Sequence, residues 1–385
     1  MKILKIKVSG YKLLEDHFEL DFLNKARVSV NDKEDEIIEL LDNLYMPTTT
    51  VFTGKNSSGK STVLSLLEFV NELLYKGRIE YNKMDFRSNT IDIELHFLLK
   101  ETVYRYSGTI SVPNKNVLDE TSYCTFSNEK LFSKKYFKSK GKNIIDADFD
   151  IDKNYDSNVA DTSILYKLTS SKYYMINTNN WINASKISMI FDLFETFEVN
   201  EKLMLKITNL FDDSVKEFKY DKERKLYSID LQGLGLKNYS EAEVDMLLSD
   251  GTKKGLIMFA LTIAMLKLGG SLIIDEIENS FHKNLVENII MIFNDKRINK
   301  NQANLIFSTH YVEILDIFRR RDNIYIMNKE DFITNCNLYD DYDERTDLSK
   351  SNQFNNNTFK TLINYERLMD LKKELINEVP GTTRG

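Results

Sequence analysis

Two glycines, a lysine and a serine stand at fixed spacing between Val51 and Thr62. The stretch Gly54-Lys-Asn-Ser-Ser-Gly-Lys-Ser61 matches G-x-x-x-x-G-K-[ST], the phosphate-binding P-loop pattern. The glycines allow a tight turn whose N–H groups point at phosphate oxygens, Lys60 places a positive charge on the β- and γ-phosphates, and the Ser61 hydroxyl can bind Mg²⁺. We predict that a bound nucleoside triphosphate contacts the whole loop, which consists of Gly54, Lys55, Asn56, Ser57, Ser58, Gly59, Lys60, Ser61 and Thr62.

The segments on either side of this loop fit the same kind of site. Pro47 to Phe52 predicts a β-strand that starts after a proline, and Thr62 to Leu74 has apolar residues at helical spacing. A helix that begins at the loop directs its N-terminal N–H groups at bound phosphate. Strand, loop and helix together therefore favour a phosphate site over a chance match to the pattern.

A pair of carboxylates follows another apolar run later in the chain. Gly269-Gly-Ser-Leu-Ile-Ile-Asp-Glu276 predicts a buried strand that presents Asp275 and Glu276 at its C-terminal end, where open α/β sheets bind ligands. We expect Asp275 to hold Mg²⁺, directly or through water, and Glu276 to polarise the water that attacks the γ-phosphate. An Asp-Glu pair alone is a weak signal, but in a chain with a P-loop it becomes a strong one.

Two further segments could complete the site. Asn304-Leu-Ile-Phe-Ser-Thr-His310 predicts another buried strand, which ends in a histidine. Alone, His310 would be read as a satisfied core residue, but its place about one helix after the carboxylate pair favours a contact with the γ-phosphate that senses ATP against ADP. Leu248-Ser-Asp-Gly-Thr-Lys-Lys254 precedes a strongly apolar helix, and on its own it predicts only a helix cap.

The composition limits the rest of the molecule. The chain has 385 residues, 42% of them hydrophobic, which suits one large α/β domain with an inserted lobe or two domains. The net charge of −7 argues against broad nonspecific affinity for nucleic acid. Cys124 and Cys336 are far apart, so we expect neither a zinc site nor a disulfide framework. With no signal pattern and no long apolar run, we expect a cytoplasmic protein that does not contact the membrane.

Hydrophobic periodicity predicts the elements around the site. Period-two patterns at residues 90–98 and 102–112 indicate an antiparallel layer beside a parallel core. The strand patterns at residues 1–8 and 18–22 predict a hairpin that leads into the P-loop strand. The acidic segment 32–41, and the region from residue 164 to about residue 216, instead show helical patterns.

One stretch is rich in lysine and has aromatic residues interleaved. Its basic residues are Lys130, Lys134, Lys135, Lys138, Lys140 and Lys142. Such a stretch can contact nucleic acid or an acidic partner. It can also be a solvated loop or a strand edge protected by lysine, and the acidic run from residue 146 to residue 156 could neutralise it. Both interpretations stay open, and we favour the second.

Taken in order, the P-loop, the serine-containing turn, the Asp-Glu strand and the Ser-Thr-His strand resemble the ABC-type ATPase head shared by SMC, Rad50 and OLD-like ATPases. The resemblance implies an α/β P-loop NTPase fold with a mixed β-sheet, flanking helices, an antiparallel β layer and an inserted helical lobe. It implies ATP and Mg²⁺ as cofactors and hydrolysis of ATP to ADP and phosphate. Two heads would sandwich two ATP molecules, so that Ser249, Gly251 and Thr252 contact the γ-phosphate held by the other copy.

The same resemblance divides the chain into parts. Residues 1–115 would form the N-terminal part of the head, 116–240 an inserted β and helical lobe, 241–330 the C-terminal part, and 331–385 a polar extension. The step from Glu278 to Ser280 would lie at the dimer interface, with His282 close by.

Two features depart from the family pattern. Asp250 stands where transporters have glycine in the signature turn. ABC-type heads also carry a glutamine between P-loop and signature turn that touches Mg²⁺ and the attacking water. The chain has only Gln232, Gln302 and Gln353, and we assign none of them to that role.

Three phrases are most similar to standalone ATPases of bacterial defence operons, the AbiL/RloA type. They are Leu248–Lys254, Asp275–Ser280 and Arg320–Ile326. Such ATPases usually work with a nuclease-like protein encoded beside them and confer abortive infection or other anti-phage immunity. The resemblance therefore implies a homodimer or higher homo-oligomer that controls a partner effector.

Other functions fit parts of the same pattern. An SMC- or Rad50-like DNA-associated ATPase in DNA repair needs a long coiled coil after the P-loop helix, and no such heptad run occurs. An ABC transporter subunit needs a membrane partner, and a fused nuclease needs a second active site, for which we find no motif. An ATP-gated scaffold with negligible turnover has the same motifs as an active ATPase.

Overall fold

The computed structural model describes residues 1–113, 122–155, 160–167, 175–178, 186–279, 281–342, 348–359 and 365–378. In chain order the strands are β1 (Lys2–Ser9), β2 (Phe18–Asp21), β3 (Ile37–Leu41), β4 (Leu44–Pro47), β5 (Thr49–Thr53), β6 (Thr90–Leu99), β7 (Thr102–Ser111), β8 (Thr125–Lys135), β9 (Asp150–Tyr155), β10 (Met175–Asn177), β11 (Val215–Asp221), β12 (Leu226–Leu231), β13 (Gly235–Tyr239), β14 (Ser271–Ile274), β15 (Asn304–Thr309), β16 (Ile324–Glu330) and β17 (Ile333–Leu338). The α-helices are α1 (Lys60–Lys76), α2 (Ile187–Thr196), α3 (Glu201–Thr208), α4 (Glu241–Leu247), α5 (Asp250–Leu268), α6 (Lys283–Asn294), α7 (Lys350–Asn355) and α8 (Tyr365–Glu378).

Six strands form an antiparallel sheet in the order β2-β1-β6-β7-β8-β9. A period-two pattern shapes them, and in β6 it buries Ile91, Ile93, Leu95 and Phe97. The strands predicted at residues 90–98 and 102–112 are β6 and β7, so the predicted antiparallel layer is confirmed. The predicted hairpin is β1 and β2, and it joins the same sheet through β6. Strands β8 and β9, which come from the predicted inserted lobe, extend this sheet.

A second six-stranded sheet has the order β10-β14-β15-β5-β16-β17 and carries the P-loop strand. All of its neighbouring strands are parallel except β16 and β17, so the sheet is mixed, as predicted. Both of its faces are covered, which is why β5, β14 and β15 are buried along their whole length. Because β14, β15 and β5 are parallel neighbours, their C-terminal ends meet at one edge.

Helix α1 fills the space between the two sheets. Its residues Val63, Leu67 and Val70 belong to a core that also contains Phe97 of β6 and Ile306 of β15. On the other face of the mixed sheet, α5 and α6 pack with α2, α3 and the three-stranded sheet β11-β12-β13. Two cores therefore fix the mixed sheet, and α1 begins at the edge where β5 ends.

The acidic segment 32–41 does not form the predicted helix. It contains one 3₁₀ turn, Asp32–Glu34, followed by β3, which pairs with β4. The two carboxylate oxygens of Glu36 accept backbone N–H groups from Arg319 at 2.8 Å and from Arg320 at 3.0 Å. These tertiary contacts override the helix propensity of the segment.

The region predicted to be helical from residue 164 to about residue 216 is only partly so. Helices α2 and α3 lie within it, but Met175–Asn177 forms β10, which pairs with β14 at the edge of the mixed sheet. Three residues are too few to show a period-two pattern, so no sequence signal marks this strand.

Described residues after β16 pack against the rest of the chain. Strand β17 pairs with β16 along its whole length, and α7 packs against residues 312–317. The Nζ of Lys350 donates to the carbonyl oxygen of Phe318 at 2.6 Å, and the ring of Tyr339 lies 5.1 Å from that of Phe359. In the part of the chain that the structure describes, no helix is long and apolar enough to cross a membrane.

The lysine-rich stretch begins on β8 and continues into the following loop. Lys138 forms an ion pair with Asp42 at 3.0 Å, and Lys142 donates to the carbonyl oxygen of Lys25 at 2.8 Å. Part of its charge is therefore satisfied within the chain. Contact of the stretch with nucleic acid stays a prediction.

Candidate nucleotide-binding site

The loop between β5 and α1 needs glycine at two positions. Gly54 and Gly59 have φ angles of +152° and +103°. A Cβ at Gly59 would lie 2.4 Å from Cγ2 of Thr334, and one at Gly54 would lie 2.4 Å from the carbonyl oxygen of Met327. The close approach of β16 and β17 therefore excludes any side chain at both glycines.

A cleft of about 560 Å³ opens beside this loop. One wall is the loop and the first turn of α1, from Asn56 to Thr62. The remaining lining residues come from other segments and are Leu13, Glu276, Asn279, His310, Lys329 and Thr334. Gly54 and Lys55, which were predicted to contact phosphate, do not line the cleft. The volume is in the range of small-ligand sites.

The ammonium group of Lys60 is buried at the base of the loop. Lys60 is 5% exposed, and its Nζ donates to the carbonyl oxygens of Gly54 at 3.0 Å and Lys55 at 3.2 Å. The Nζ also lies 3.5 Å from Nδ1 of His310. Burial lowers the pKa of Lys60, and nearby carboxylates, first among them that of Glu276, oppose the shift.

The carboxylate pair lies directly after β14. Ser308 of the neighbouring strand β15 holds both residues, because its hydroxyl donates to Oδ1 of Asp275 at 2.5 Å and accepts the backbone N–H of Glu276 at 2.7 Å. Glu276 has a φ of +48°, in the left-handed region, which costs a non-glycine residue about 1–2 kcal/mol. Strained residues of this kind cluster at functional sites.

His310 lies between the two opposite charges of the cleft. Its Nε2 is 3.8 Å from Oε1 of Glu276, on the side away from Lys60. The side-chain amide of Asn279 donates to the other oxygen of Glu276. The structure therefore brings Lys60, Glu276 and His310 into one cleft, although they come from three separate segments.

Ser249 and Gly251 lie at the start of α5, and neither lines this cleft. Ser249 caps the helix by accepting the backbone N–H of Thr252 at 3.1 Å. Ser249 and Gly251 are both exposed, whereas Thr252 is only 1% exposed. Within one chain the structure does not bring Ser249 or Gly251 together with the P-loop.

The oxygen donors at this edge suit a magnesium ion. Mg²⁺ prefers oxygen ligands and usually takes one or two from protein while phosphate and water supply the rest. Asp275 is held through Oδ1 by Ser308, and the residue Ser61 lies on the cleft wall. The described residues contain no cluster of three or more His, Cys, Asp or Glu side chains that could hold a metal by itself. Asp275 and Ser61 would therefore hold the ion together with the phosphates.

Several residues of the cleft carry no sequence signal. The backbone N–H of Thr334 donates to the carbonyl oxygen of Leu13 at 2.7 Å, so the cleft wall joins segments from the two ends of the chain. Ser308 could have been found from its place in the Ser-Thr-His strand, since it lies two residues before His310.

Two features of the family pattern concern the glutamines and Ser280. The three glutamines all lie in the described part of the chain, and none lines the cleft. Ser280, which was predicted to lie at the dimer interface, is outside the described residues.

The structure contains the P-loop sheet, the antiparallel layer, the serine-capped helix and the two strands that end directly before Asp275 and His310, as the sequence predicted. The solved structure "Crystal structure of the SmcHead bound to the C-winged helix domain of ScpA" is similar over 88% of this chain and 97% of its own, at 12% identity and a TM-score of 0.47. The structure "SMC head domain from Thermotoga maritima" is similar over 88% of this chain and 99% of its own, at 12% identity and a TM-score of 0.41.

Sequence comparison adds the family. No curated protein sequence gives a significant match. A family model described as "AAA domain, putative AbiEii toxin, Type IV TA system" matches residues 49–316, which is more than two thirds of the chain. The chain therefore belongs to this family of AAA domains.

Proposed function

We propose that this protein hydrolyses ATP, forms a dimer around ATP, and thereby controls a partner effector. The observation that supports the proposal most strongly is the row of groups in the cleft. The Lys60 ammonium lies 3.5 Å from the His310 ring, which lies 3.8 Å from the Glu276 carboxylate. In the proposed reaction, Lys60 is the cation that binds phosphate and Glu276 is the base on the other side of His310.

Each group has a role that follows from its chemistry. The loop N–H groups and Lys60 bind the β- and γ-phosphates and stabilise the negative charge of the transition state. Glu276 polarises the attacking water, and His310, which lies beside both charges, contacts the γ-phosphate. A bound Mg²⁺ would neutralise phosphate charge at Asp275 and Ser61.

The exposed start of α5 supports a dimer. Ser249 and Gly251 are exposed and do not line the cleft beside the P-loop, so their surface is accessible to a second copy. In a symmetric dimer, each copy adds its Ser249 and Gly251 to the site of the other. We propose this arrangement for the homodimer.

The family supports a partner. Its description names a toxin and a toxin–antitoxin system. We propose that the ATP state of this head controls an effector, nuclease-like as in defence operons of the AbiL/RloA type, in bacterial anti-phage defence. A scaffold with negligible turnover is the second candidate, because the Asn279 amide engages the Glu276 carboxylate.

Phosphate release from ATP by wild type and Glu276→Gln tests the enzymatic part. We expect the variant to bind ATP but to lose about 10²- to 10³-fold in kcat, because its amide cannot accept the proton. Glu223→Gln, in an exposed turn between β11 and β12, is the matched control and should keep wild-type turnover. If Glu276→Gln hydrolyses ATP like wild type, Glu276 is not the base. A wild type that binds ATP without turnover would favour the scaffold.

A further inference from the structure

Glu278 connects the strand that carries the carboxylate pair to the strand that carries His310. Its Oε2 accepts the hydroxyl of Thr309 at 2.8 Å, and its Oε1 accepts the backbone N–H of His310 at 2.5 Å. Both donors lie at the C-terminal end of β15, while Glu278 lies in the short 3₁₀ turn after β14. One carboxylate therefore uses both of its oxygens to fix the end of the neighbouring strand.

This carboxylate does not belong to the wall of the cleft. The lining includes Glu276, Asn279 and His310, but not Glu278. Glu278 is half-buried. The contact that the structure gives Glu278 is with the backbone of His310, so we expect Glu278 to affect the cleft through that residue.

The position of His310 is narrowly defined by its neighbours. Its ring is 3.5 Å from the Lys60 ammonium through Nδ1 and 3.8 Å from the Glu276 carboxylate through Nε2. A shift of about 1 Å in such a group can cost about 10²-fold in rate. Ser308 already connects β15 to Asp275 and Glu276 by hydrogen bonds. Glu278 adds a second connection of this kind, which begins one residue further along the strand.

We propose that Glu278 is a positioning residue for hydrolysis, which holds His310 against the Lys60–Glu276 pair. The proposal rests on the proposed ATPase function of the same cleft. Charge is not required for this role, because a glutamine carbonyl can accept the His310 N–H and its amide can donate to the Thr309 hydroxyl. An alanine at this position leaves both donors without a partner.

Steady-state kinetics of Glu278→Ala and Glu278→Gln test the proposal. We expect Glu278→Ala to lower kcat about 10- to 100-fold with KM within about twofold of wild type, and Glu278→Gln to restore most of kcat. Glu313→Ala, an exposed carboxylate three residues after His310, should have no effect. Melting temperatures of all variants show whether a substitution lowers stability in general. A general loss of stability would not by itself lower kcat while KM stays unchanged. Wild-type kcat in Glu278→Ala would overturn the proposal.

A double mutant separates action through His310 from an independent effect. If Glu278 acts through His310, then the Glu278→Ala/His310→Ala variant is no slower than His310→Ala alone. A further loss in the double mutant, multiplied from the two single losses, would contradict the positioning role.

The imidazole signals give a test that does not need turnover. The chain has four histidines, and His310→Ala assigns the one of interest in ¹⁵N-histidine-labelled protein. We expect Glu278→Ala to shift the His310 ring signals and to leave those of His17, His96 and His282 in place. Unchanged His310 signals would overturn the positioning role of Glu278, whether or not the wild type hydrolyses ATP. A wild type without ATPase activity would instead overturn the proposed function.

Discussion

At the scale of single residues, the buried ammonium group of Lys60 is an unfavourable feature of the free protein. Its ammonium is buried and bonded to two carbonyl oxygens, and in the described chain it forms no ion pair with a carboxylate. Burial therefore lowers the pKa of Lys60 in the free protein. The phosphates of ATP carry several negative charges, so their arrival favours the protonated form.

This difference predicts a proton exchange on binding. The pKa of Lys60 is lower in the free protein than in the complex, so ATP binding takes up protons between the two pKa values and takes up none well below both. Calorimetry in buffers of different ionisation enthalpy should show more proton uptake at alkaline pH than near pH 7. Equal uptake at both, after correction for the titration of ATP itself, would mean that Lys60 is already fully charged in the free protein.

Residue types and spacing allowed Lys60, Glu276 and His310 to be selected from the sequence, because each stands in a short motif. Glu278 was assigned only to a dimer interface. Its bonds to Thr309 and His310 join residues 31 and 32 positions apart. They depend on how β14 pairs with β15, which no local pattern specifies.

At the scale of elements, the P-loop packs closely against the β16–β17 hairpin. Gly59 faces Thr334, whose N–H donates to Leu13 at 2.7 Å and whose carbonyl oxygen accepts the N–H of Glu15 at 3.0 Å. The loop thus rests on a strand that is itself fixed to the N-terminal segment. A movement of β17 or of the N-terminal segment would therefore displace the phosphate-binding loop.

Gly59→Ala should abolish ATP binding. The added Cβ would meet Thr334 at 2.4 Å, and the positive φ adds strain of about 1–3 kcal/mol. Gly233→Ala is the matched control, since Gly233 also has a positive φ, +89°, but its Cβ would meet nothing within 4 Å. Titration with a fluorescent ATP analogue should show binding lost in the first variant and kept in the second. Binding by Gly59→Ala near the wild-type affinity would contradict the claim that Thr334 excludes a side chain at this position.

The elements that could be predicted are those with a long, regular pattern. Strands β1, β6 and β7 alternate over eight to ten residues, and α1 shows apolar positions at helical spacing over 17 residues. The acidic segment 32–41 was mispredicted because Glu36 is bonded to Arg319 and Arg320, which lie more than 280 residues away.

At the scale of the whole molecule, the residues of the proposed ATP site lie in two separate places on one chain. The cleft holds Lys60, Glu276 and His310, while Ser249 and Gly251 are exposed at the start of α5. The account requires a second copy to bring the two places together. Within one chain, Ser249 has only a capping role, which is worth about 1 kcal/mol.

Mixing two inactive variants should restore activity if the two places meet across copies. Lys60→Ala removes the ammonium group that binds phosphate. Ser249→Arg places a bulky side chain at the start of α5 and so blocks its contact with the ATP of the other copy. A mixed dimer retains one intact site, so an equal mixture should recover about a quarter of wild-type turnover. Ser240→Ala, which removes the cap of α4 but lies outside the proposed interface, controls for the lost cap. A mixture as inactive as its components would place Ser249 outside the site.

The mass of Glu276→Gln in solution, measured with and without ATP, tests the central claim most directly. The variant should retain phosphate and Mg²⁺ binding while it loses hydrolysis, so the ATP-bound form should accumulate. The account predicts a monomer of 45.0 kDa without nucleotide and a stable dimer with ATP. A variant that remains a monomer at saturating ATP, or has the same mass in both conditions, would contradict an ATP-driven dimer.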